Sequence, residues 1–201
     1  MSRAALLAWA GLALASLFWA GNSLVARAFT GAIPPMSLAF WRWAIALVIL
    51  LPLVGPSLWQ HRQVLRRAGW RLWLLAALAI TAYNCLLYTA ALSTAAINLS
   101  LVSTCLPLAT FIGAGLLLGE WPARRVWVGL LLALFGLLWL ICQGDWRVLA
   151  SLSFAEGDLL MVLATLDWAL YSLLLRRWSA YFQLPPFTLL GALVLLGLLM
   201  L

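Results

Sequence analysis

The sequence predicts an all-α polytopic membrane protein, and three observations lead to that fold class. Of the 201 residues, 67% are hydrophobic and 8% are charged, against about 45–50% and about 25% in soluble domains. Several stretches of about twenty residues carry almost no charge, and that is the length a helix needs to cross a bilayer. The twelve basic residues, all of them arginine, lie mainly in short segments between those stretches. A soluble fold cannot bury this much apolar surface.

Apolar runs bounded by Arg, Pro and Gly predict six membrane spans and the start of a seventh. The first run is longer than the apolar region of a secretory signal and lacks a convincing cleavage site, so we interpret it as a retained span. The predicted spans are 5–27, 35–55, 71–91, 94–117, 125–142 and 157–175, and the seventh begins near 186.

The distribution of arginine predicts which span ends face the cytoplasm. Positive charge accumulates on the cytoplasmic side of membrane proteins, and alternate connections place nine arginines on one side and two on the other. We therefore expect a cytoplasmic N-terminus in a multi-pass protein of a bacterial-type cytoplasmic (inner) membrane. Charges between spans indicate the lipid bilayer, and not nucleic acid, as the partner. The nine are Arg3, Arg62, Arg66, Arg67, Arg71, Arg124, Arg125, Arg176 and Arg177, and the two are Arg27 and Arg147.

Other polar and aromatic residues agree with this orientation. Asp145, Glu156 and Asp158 fall on the predicted outer side, and Ser153 with Glu156 has the spacing of a capping box that opens the sixth span. Tryptophan rings prefer the membrane interface, where they act as anchors. The tryptophans near predicted span ends are Trp59, Trp70, Trp121, Trp146 and Trp178.

The cysteines are expected to be buried free thiols. Cys85, Cys105 and Cys142 each lie within or at the end of an apolar run, and their spacing is not that of a metal site. The sequence therefore predicts no metal and no cofactor.

Two segments of the chain recur. "ASLFWAGNSL" (15–24) is similar to "ATLDWALYSL" (164–173), and "IPPMS" (33–37) is similar to "LPPFT" (184–188). The copies are five spans apart, and an odd number of spans places them in opposite orientations in the membrane. Inverted repeats are typical of transporters, whose substrate site lies at the repeat interface near the midplane. We interpret 1–145 as a first repeat of five spans and 146–201 as part of a second.

Longer motifs carry a family resemblance. They are "FWAGNSLVARAF" with "PPMSLAFWRWAIA" across spans one and two, and "YTAALSTAAINLSLVSTCLPLATFIGAGLLLGEWPARRVWVGLLLALFGL" from 88 to 137. With them the chain resembles an EamA-type member of the drug/metabolite transporter (DMT) superfamily. The resemblance implies a helical bundle of ten spans, a five-plus-five inverted repeat, both termini cytoplasmic, and transport of small metabolites or drugs, often outward; we expect an exporter whose solutes include amino-acid-like ones. About seven of the ten spans are expected here, because the sequence ends within the seventh run. A truncated product and a fragment of a longer protein are both consistent with this.

Polar residues inside the spans are the candidates for a solute site. At the helical period, Thr81, Asn84 and Tyr88 fall within about 60° of one another and predict one polar stripe on span three. Hydrogen bonding between helices, at about 0.6–2 kcal/mol per contact, is the alternative role for each of them. The further substrate-binding candidates, in spans one, four and six, are Asn22, Asn98 and Tyr171.

Span four has two polar faces. The face that carries Asn98 is expected to line a cavity together with Asn84 and Tyr88. The opposite face carries three hydroxyls and Pro107. Proline lacks an N–H, so Pro107 frees the carbonyl of Ser103 and produces a kink that nearby hydroxyls are expected to satisfy. We interpret this second face as structural.

Two charged residues lie inside predicted spans. Arg42 lies about 10 Å into span two at about 1.5 Å rise per residue. Its guanidinium suits the carboxylate of an amino-acid-like substrate, an ion pair with Asp167, or headgroups that it reaches by snorkelling. Asp167 precedes the repeated Trp168, and its counterpart in the first copy is Phe18. Because an intramembrane carboxylate can carry a proton, Asp167 is a candidate for proton coupling.

Glu120 and a stripe of small residues have structural interpretations. Glu120 is expected to form a local ion pair with the arginines at 124–125, or a helix-end contact. Gly129, Ala133 and Gly136 lie on one side of span five, and small residues allow close helix approach. That approach is expected within the bundle or between two protomers of a homodimer.

The leading functional hypothesis is a transporter that works by alternating access. An intramembrane enzyme is rejected, because the single His61 lies in a loop and neither a His-Glu-x-x-His nor a Gly-x-Ser-x-Gly motif occurs. The alternative is a non-transporting truncated membrane protein that associates with other helices as a bundle partner.

Overall fold

The computed structural model describes residues 3–29, 31–141 and 155–201, and in those ranges the chain is helical and has no strand. Five segments there are long and apolar enough to cross a membrane. They coincide with five of the predicted spans, which confirms the all-α polytopic fold. The segments are Ala5–Asn22, Pro35–Gln60, Trp70–Ser93, Ile97–Leu118 and Glu156–Arg177.

Two of the predicted spans are divided. A π-helical segment, Ala77–Ala82, interrupts span three, and a turn interrupts span four. A 3-10 turn at Ser179–Tyr181 follows the sixth span. The α-helices are α1 Arg3–Ala28, α2 Pro35–Gln60, α3 Arg62–Ala68, α4 Trp70–Ala76, α5 Tyr83–Ser93, α6 Ala96–Ser103, α7 Leu106–Leu118, α8 Arg124–Ile141, α9 Glu156–Arg177 and α10 Pro186–Leu198.

Helices α2 and α10 begin in the same way, at the two similar Pro-Pro segments. Pro34 precedes α2 with φ −57° and ψ 139°, and Pro185 precedes α10 with φ −55° and ψ 139°. The second proline of each pair is the first helical residue, where its missing N–H leaves no intrahelical bond unmade. The similarity between the two segments therefore extends to backbone conformation.

These two helices pack against each other in opposite directions. The hydroxyls of Ser57 and Thr188 are 2.6 Å apart. One turn further along α10, a Cβ added to Gly191 would lie 2.7 Å from Cγ2 of Val54, which is one turn earlier in α2. The antiparallel arrangement is the one that inverted copies require.

Helix α9 lies against both α5 and α7. Near its start, Gly157 packs on the carbonyl of Ala90 so closely that a Cβ would collide with it. Near its end, the side chain of Leu173 occupies the space beside Gly113. Glycine thus permits close approach at both contacts, and α9 forms the centre of the bundle.

Residues from predicted cytoplasmic span ends meet at one end of the bundle. Arg71 lies 4.4 Å from the ring centroid of Tyr181, and Arg176 forms an ion pair with Glu120 at 2.6 Å. The prediction that Glu120 pairs with the arginines at 124–125 is therefore wrong. Helix α7 ends at Gly119 with φ 72°, and beyond this left-handed turn Glu120 reaches α9.

The small-residue stripe of α8 does not pack within the described part of the chain. Ala133 is exposed, and a Cβ added to Gly129 or Gly136 would meet nothing within 4 Å. The helix instead buries Leu130. The described residues supply no partner for the stripe, so packing inside a complete bundle and contact between two protomers both stay predictions.

The thiols are less buried than expected. Cys85 and Cys105 are free and half-buried. Several residues named in the sequence analysis lie outside the described ranges: Cys142, Asp145, Trp146, Arg147 and Ser153.

Candidate functional site

The π-helical segment in the middle of span three positions Asn84. Turns of this kind are often found at functional sites, because they widen the helix and leave backbone groups to be satisfied. Asn84 is 2% exposed. Its Nδ2 donates to the carbonyl of Ile80 at 2.8 Å and to that of Ala79 at 3.3 Å. The side-chain amide is thereby fixed, and its Oδ1 is left to accept a hydrogen bond from another helix.

The same π-helical segment separates Thr81 from the stripe predicted on span three. Thr81 Oγ1 donates to the carbonyl of Gly197 in α10 at 3.1 Å, whereas Asn84 faces α2. A π turn shifts the register of the helix, so the 3.6-residue period does not hold across it. The prediction of one polar stripe is therefore wrong for Thr81. Of its three members, the structure brings together Asn84 and Tyr88.

Arg42 reaches Asn84 from α2. Its Nη2 donates to Asn84 Oδ1, and its guanidinium carbon lies 4.5 Å from the ring centroid of Trp43 and 5.7 Å from that of Tyr88. Its Nε is buried and has no hydrogen-bond partner among the described residues. Arg42 makes no ion pair with Asp167, so of the three expected environments this one is not formed.

Tyr88 joins the first span to this group. It is 2% exposed, and its hydroxyl donates to Oδ1 of Asn22 in α1 at 2.7 Å. Four of the candidates predicted from the sequence therefore form one network across three spans. We call it the Arg42 network, and its members are Asn22, Arg42, Asn84 and Tyr88.

An aromatic cluster centred on Trp168 faces the Arg42 network. The ring centroid of Trp168 lies 4.7 Å from that of Tyr83, 5.1 Å from that of Tyr171 and 5.2 Å from that of Trp19. Of these four residues, only Tyr171 was predicted from the sequence as a site residue. The signal for two others was present, because Trp19 and Trp168 occupy the same place in the two similar segments.

A cavity of about 270 Å³ lies between the Arg42 network and the aromatic cluster. The predicted candidates that line it are Asn22, Arg42, Asn84 and Tyr171, and its aromatic walls are Phe18, Trp19, Trp43, Tyr83 and Trp168. The remaining lining residues in the described ranges are apolar, and none of the described lining residues is acidic. Concave sites with apolar walls and a few convergent polar groups are typical of small-molecule binding.

Asn98 is not part of this cavity, so that prediction is wrong. Its Nδ2 lies 3.3 Å from Oδ2 of Asp158 and 3.4 Å from Oγ1 of Thr94, and Thr94 in turn donates to Asp158. Asp158 also accepts from the backbone N–H of Ala155 at 2.8 Å. The carboxylate of Asp158, and not that of Glu156, caps the start of α9. Asn98 is one of the hydrogen-bond donors to this carboxylate.

Asp167 lies in α9 but does not line the cavity. Its Oδ2 is buried and has no hydrogen-bond partner in the part of the chain that the structure describes. In the same ranges, no group of three or more His, Cys, Asp or Glu side chains is arranged to hold a metal ion.

The polar face around Pro107 is occupied by local bonds. Helix α6 ends at Ser103 and α7 begins at Leu106, one residue before Pro107. Ser103 Oγ donates to the carbonyl of Leu99 at 2.7 Å, and Thr104 Oγ1 donates to that of Leu101 at 2.6 Å. The hydroxyls thus bond carbonyls earlier in the helix than the expected carbonyl of Ser103.

Comparison with known proteins shows the family. Residues 6–142 match the EamA-like transporter family. The chain belongs to this family. This EamA-family chain is similar to an uncharacterized transporter of Bacillus subtilis, YyaM, with 28% identity over 163 residues, or 81% of this chain and 53% of the relative.

Two further relatives give the same picture. An uncharacterized protein of Pseudomonas aeruginosa is 35% identical over 173 residues, which are 81% of this chain and 54% of the relative. An uncharacterized transporter of Archaeoglobus fulgidus is 30% identical over 174 residues, which are 81% and 55%. The EamA-family chain spans about half the length of these relatives, and no solved structure matches it. The predicted resemblance and the predicted class, a multi-pass protein of a transporter family, are confirmed.

Proposed function

We propose that this chain forms part of a transporter that moves small organic solutes outward across a bacterial-type cytoplasmic membrane, and that the solute binds in the cavity beside Arg42. The observation that carries the proposal is the convergence of the Arg42 network and the aromatic cluster on one cavity. Side chains from α1, α2, α5 and α9 meet there, with an arginine inside a span. Intramembrane charges and polar groups are costly, so their presence favours a functional role.

The two similar segments support alternating access as the mechanism. Inverted copies allow one half of a transporter to rock against the other around a site between them. Trp19 and Trp168, at equivalent positions in the copies, both line the cavity. A site between the copies is exposed to opposite sides of the membrane in turn as they rock.

Asp167 is proposed to couple transport to protons. A buried carboxylate oxygen without a hydrogen-bond partner is held at a cost, since ordinary buried polar atoms are paired. Asp167 Oδ2 is such an atom in the described residues. Its place in α9, one residue before a cavity-lining tryptophan, supports a link between its protonation and the cavity.

Inverted membrane vesicles from cells that make the chain test transport. The vesicles are incubated with a defined mixture of amino acids, aromatic carboxylates and amines, and their contents are measured by mass spectrometry. We expect at least one solute to accumulate above the level in vesicles from control cells. Asn84→Ala is expected to lower that accumulation, because it removes the acceptor of the Arg42 bond.

Asn98→Ala is the matched control, because Asn98 is the same residue type in a span but lies at Asp158. It is expected to leave the accumulated solute unchanged. If vesicles that contain comparable amounts of the chain accumulate none of the solutes, the transport proposal is wrong and a role as a helix-bundle partner is favoured.

A further inference from the structure

The described residues that line the cavity carry a positive charge without a balancing negative charge. Among the described residues that line it, Arg42 is the one ionic group and none is Asp or Glu. Electrostatic interactions are much stronger in a low-dielectric site than in water. A ligand with negative charge is therefore attracted by the whole charge of the site, whereas an amine is repelled by it.

The positive charge of the Arg42 guanidinium is also poorly compensated by the described residues around it. Arg42 donates a hydrogen bond to a neutral carboxamide oxygen, that of Asn84, and its buried Nε has no acceptor among the described residues. Guanidinium groups bind carboxylates with short, charge-assisted hydrogen bonds that are roughly twice as strong as neutral ones. A carboxylate in the cavity would supply the counter-charge that the described residues do not.

The rest of the cavity suits a flat apolar body. Ring faces or edges of Trp19, Trp43, Tyr83 and Trp168 form its walls, and aromatic groups stack on such rings or meet them edge to face. Its volume is about 270 Å³, close to the lower end of the roughly 300–1,000 Å³ of small-molecule pockets. That volume fits one ring with a short side group.

An amino acid fits less well than a simple acid. Its ammonium would leave water for a cavity whose remaining polar groups are neutral, and burial of an unpaired charge is costly. Asp167, the nearest acid along α9, does not line the cavity. We infer that the cavity selects small planar organic monoanions over the matching amines and zwitterions, an inference that rests on the proposed solute site.

Binding of phenylacetate tests the inference. The purified chain in detergent is titrated with tritiated phenylacetate in a scintillation proximity assay. Unlabelled competitors share its ring and differ in charge: phenylethylamine, phenylalanine and 2-phenylethanol. We expect saturable phenylacetate binding, with each of these competitors at least about tenfold weaker, the ratio that corresponds to about 1.4 kcal/mol.

Two variants of Arg42 connect binding to the guanidinium. Arg42→Met is expected to weaken phenylacetate binding at least about tenfold, and Arg42→Lys to weaken it less, because lysine retains the charge without the planar fork. Arg62→Met is the matched control. Arg62 also lies on a tryptophan ring, 4.7 Å from the centroid of Trp59, but it does not line this cavity, so phenylacetate binding should not change. Circular dichroism confirms that each variant is folded.

The outcomes separate this inference from the transport proposal. Tighter binding of phenylethylamine or phenylalanine than of phenylacetate, or no saturable phenylacetate binding, overturns the inference about the anion. Phenylacetate that binds in an Arg42-dependent manner but does not cross proteoliposomes containing the chain overturns the transport proposal and leaves the anion site standing.

Discussion

Trp19 and Trp168 meet edge to face, with ring centroids 5.2 Å apart and planes at 82°. Each is the fifth residue of one of the two similar segments, 15–24 and 164–173. The similarity along the chain therefore corresponds to a contact in space. Because both rings also line the cavity, the point at which the two segments touch is the point at which a solute is proposed to bind.

Removal of the Trp168 ring should destabilise the bundle. The ring contacts three other aromatic rings, and large-to-small changes of aromatic residues in packed cores cost about 3–5 kcal/mol. We expect Trp168→Ala to lower the apparent Tm in detergent by several degrees. Trp59→Ala is the control, since that ring is 71% exposed, and should leave the Tm nearly unchanged. Equal Tm values for the two variants would contradict the packing role of Trp168.

The carboxylate of Asp158 should stabilise the junction of α5, α6 and α9. It accepts hydrogen bonds from Thr94, Asn98 and the backbone of Ala155, and leaving buried partners unsatisfied costs about 1–3 kcal/mol. We expect Asp158→Ala to lower the free energy of unfolding by about that amount. It is measured by denaturant titration in micelles.

Glu156 provides the comparison for that prediction, because it is exposed and lies in the same turn of α9. Glu156→Ala should change the free energy of unfolding by less than about 0.5 kcal/mol, as exposed substitutions usually do. A larger effect of Glu156→Ala than of Asp158→Ala would show that Glu156 caps the start of α9, as the sequence predicts, and that Asp158 does not.

A methyl group at Gly157 should not be tolerated. A Cβ there would collide with the carbonyl of Ala90 and lie 2.7 Å from Oγ of Ser93, and backbone atoms cannot rotate away. Overpacking typically costs about 1–3 kcal/mol, so Gly157→Ala should lower the apparent Tm. Gly129→Ala, where nothing lies within 4 Å, should leave it equal or higher, since alanine favours the helix. The measurement is thermal unfolding of the two variants in the same detergent. A similar decrease in apparent Tm for both would contradict the close approach of α9 and α5.

Most of the spans could be predicted because they follow from local properties of the sequence. An apolar run of sufficient length forms a membrane-spanning helix in a bilayer. The Pro-Pro segments set the starts of α2 and α10. The grouping of Asn84 with Tyr88 could be predicted from the helical period, whereas the hydrogen bond from Arg42 to Asn84 was not among the environments expected for Arg42.

The errors concern features that depend on tertiary structure. The π-helical segment at Ala77–Ala82 reorients Thr81, and no local signal distinguishes this run from an ordinary α-helix. Asn98 forms a hydrogen bond with Asp158, which lies on another helix. The two residues come within hydrogen-bond distance only because α9 packs beside α6. Glu120 finds Arg176 in the same way. Partner choice among distant residues is set by helix packing, which periodicity does not encode.

Loss of the Asp167 carboxyl should remove proton coupling. An amide of the same shape cannot take up and release a proton, so Asp167→Asn should abolish the stimulation of solute uptake by an acid-interior pH gradient in inverted vesicles. Uptake without a gradient and the amount of protein should persist. Glu156, an exposed carboxylate in the same helix, provides the control, because Glu156→Gln makes the same change from acid to amide away from the cavity and should retain the stimulation. Gradient-driven uptake that is unchanged in Asp167→Asn would exclude this residue as the proton carrier.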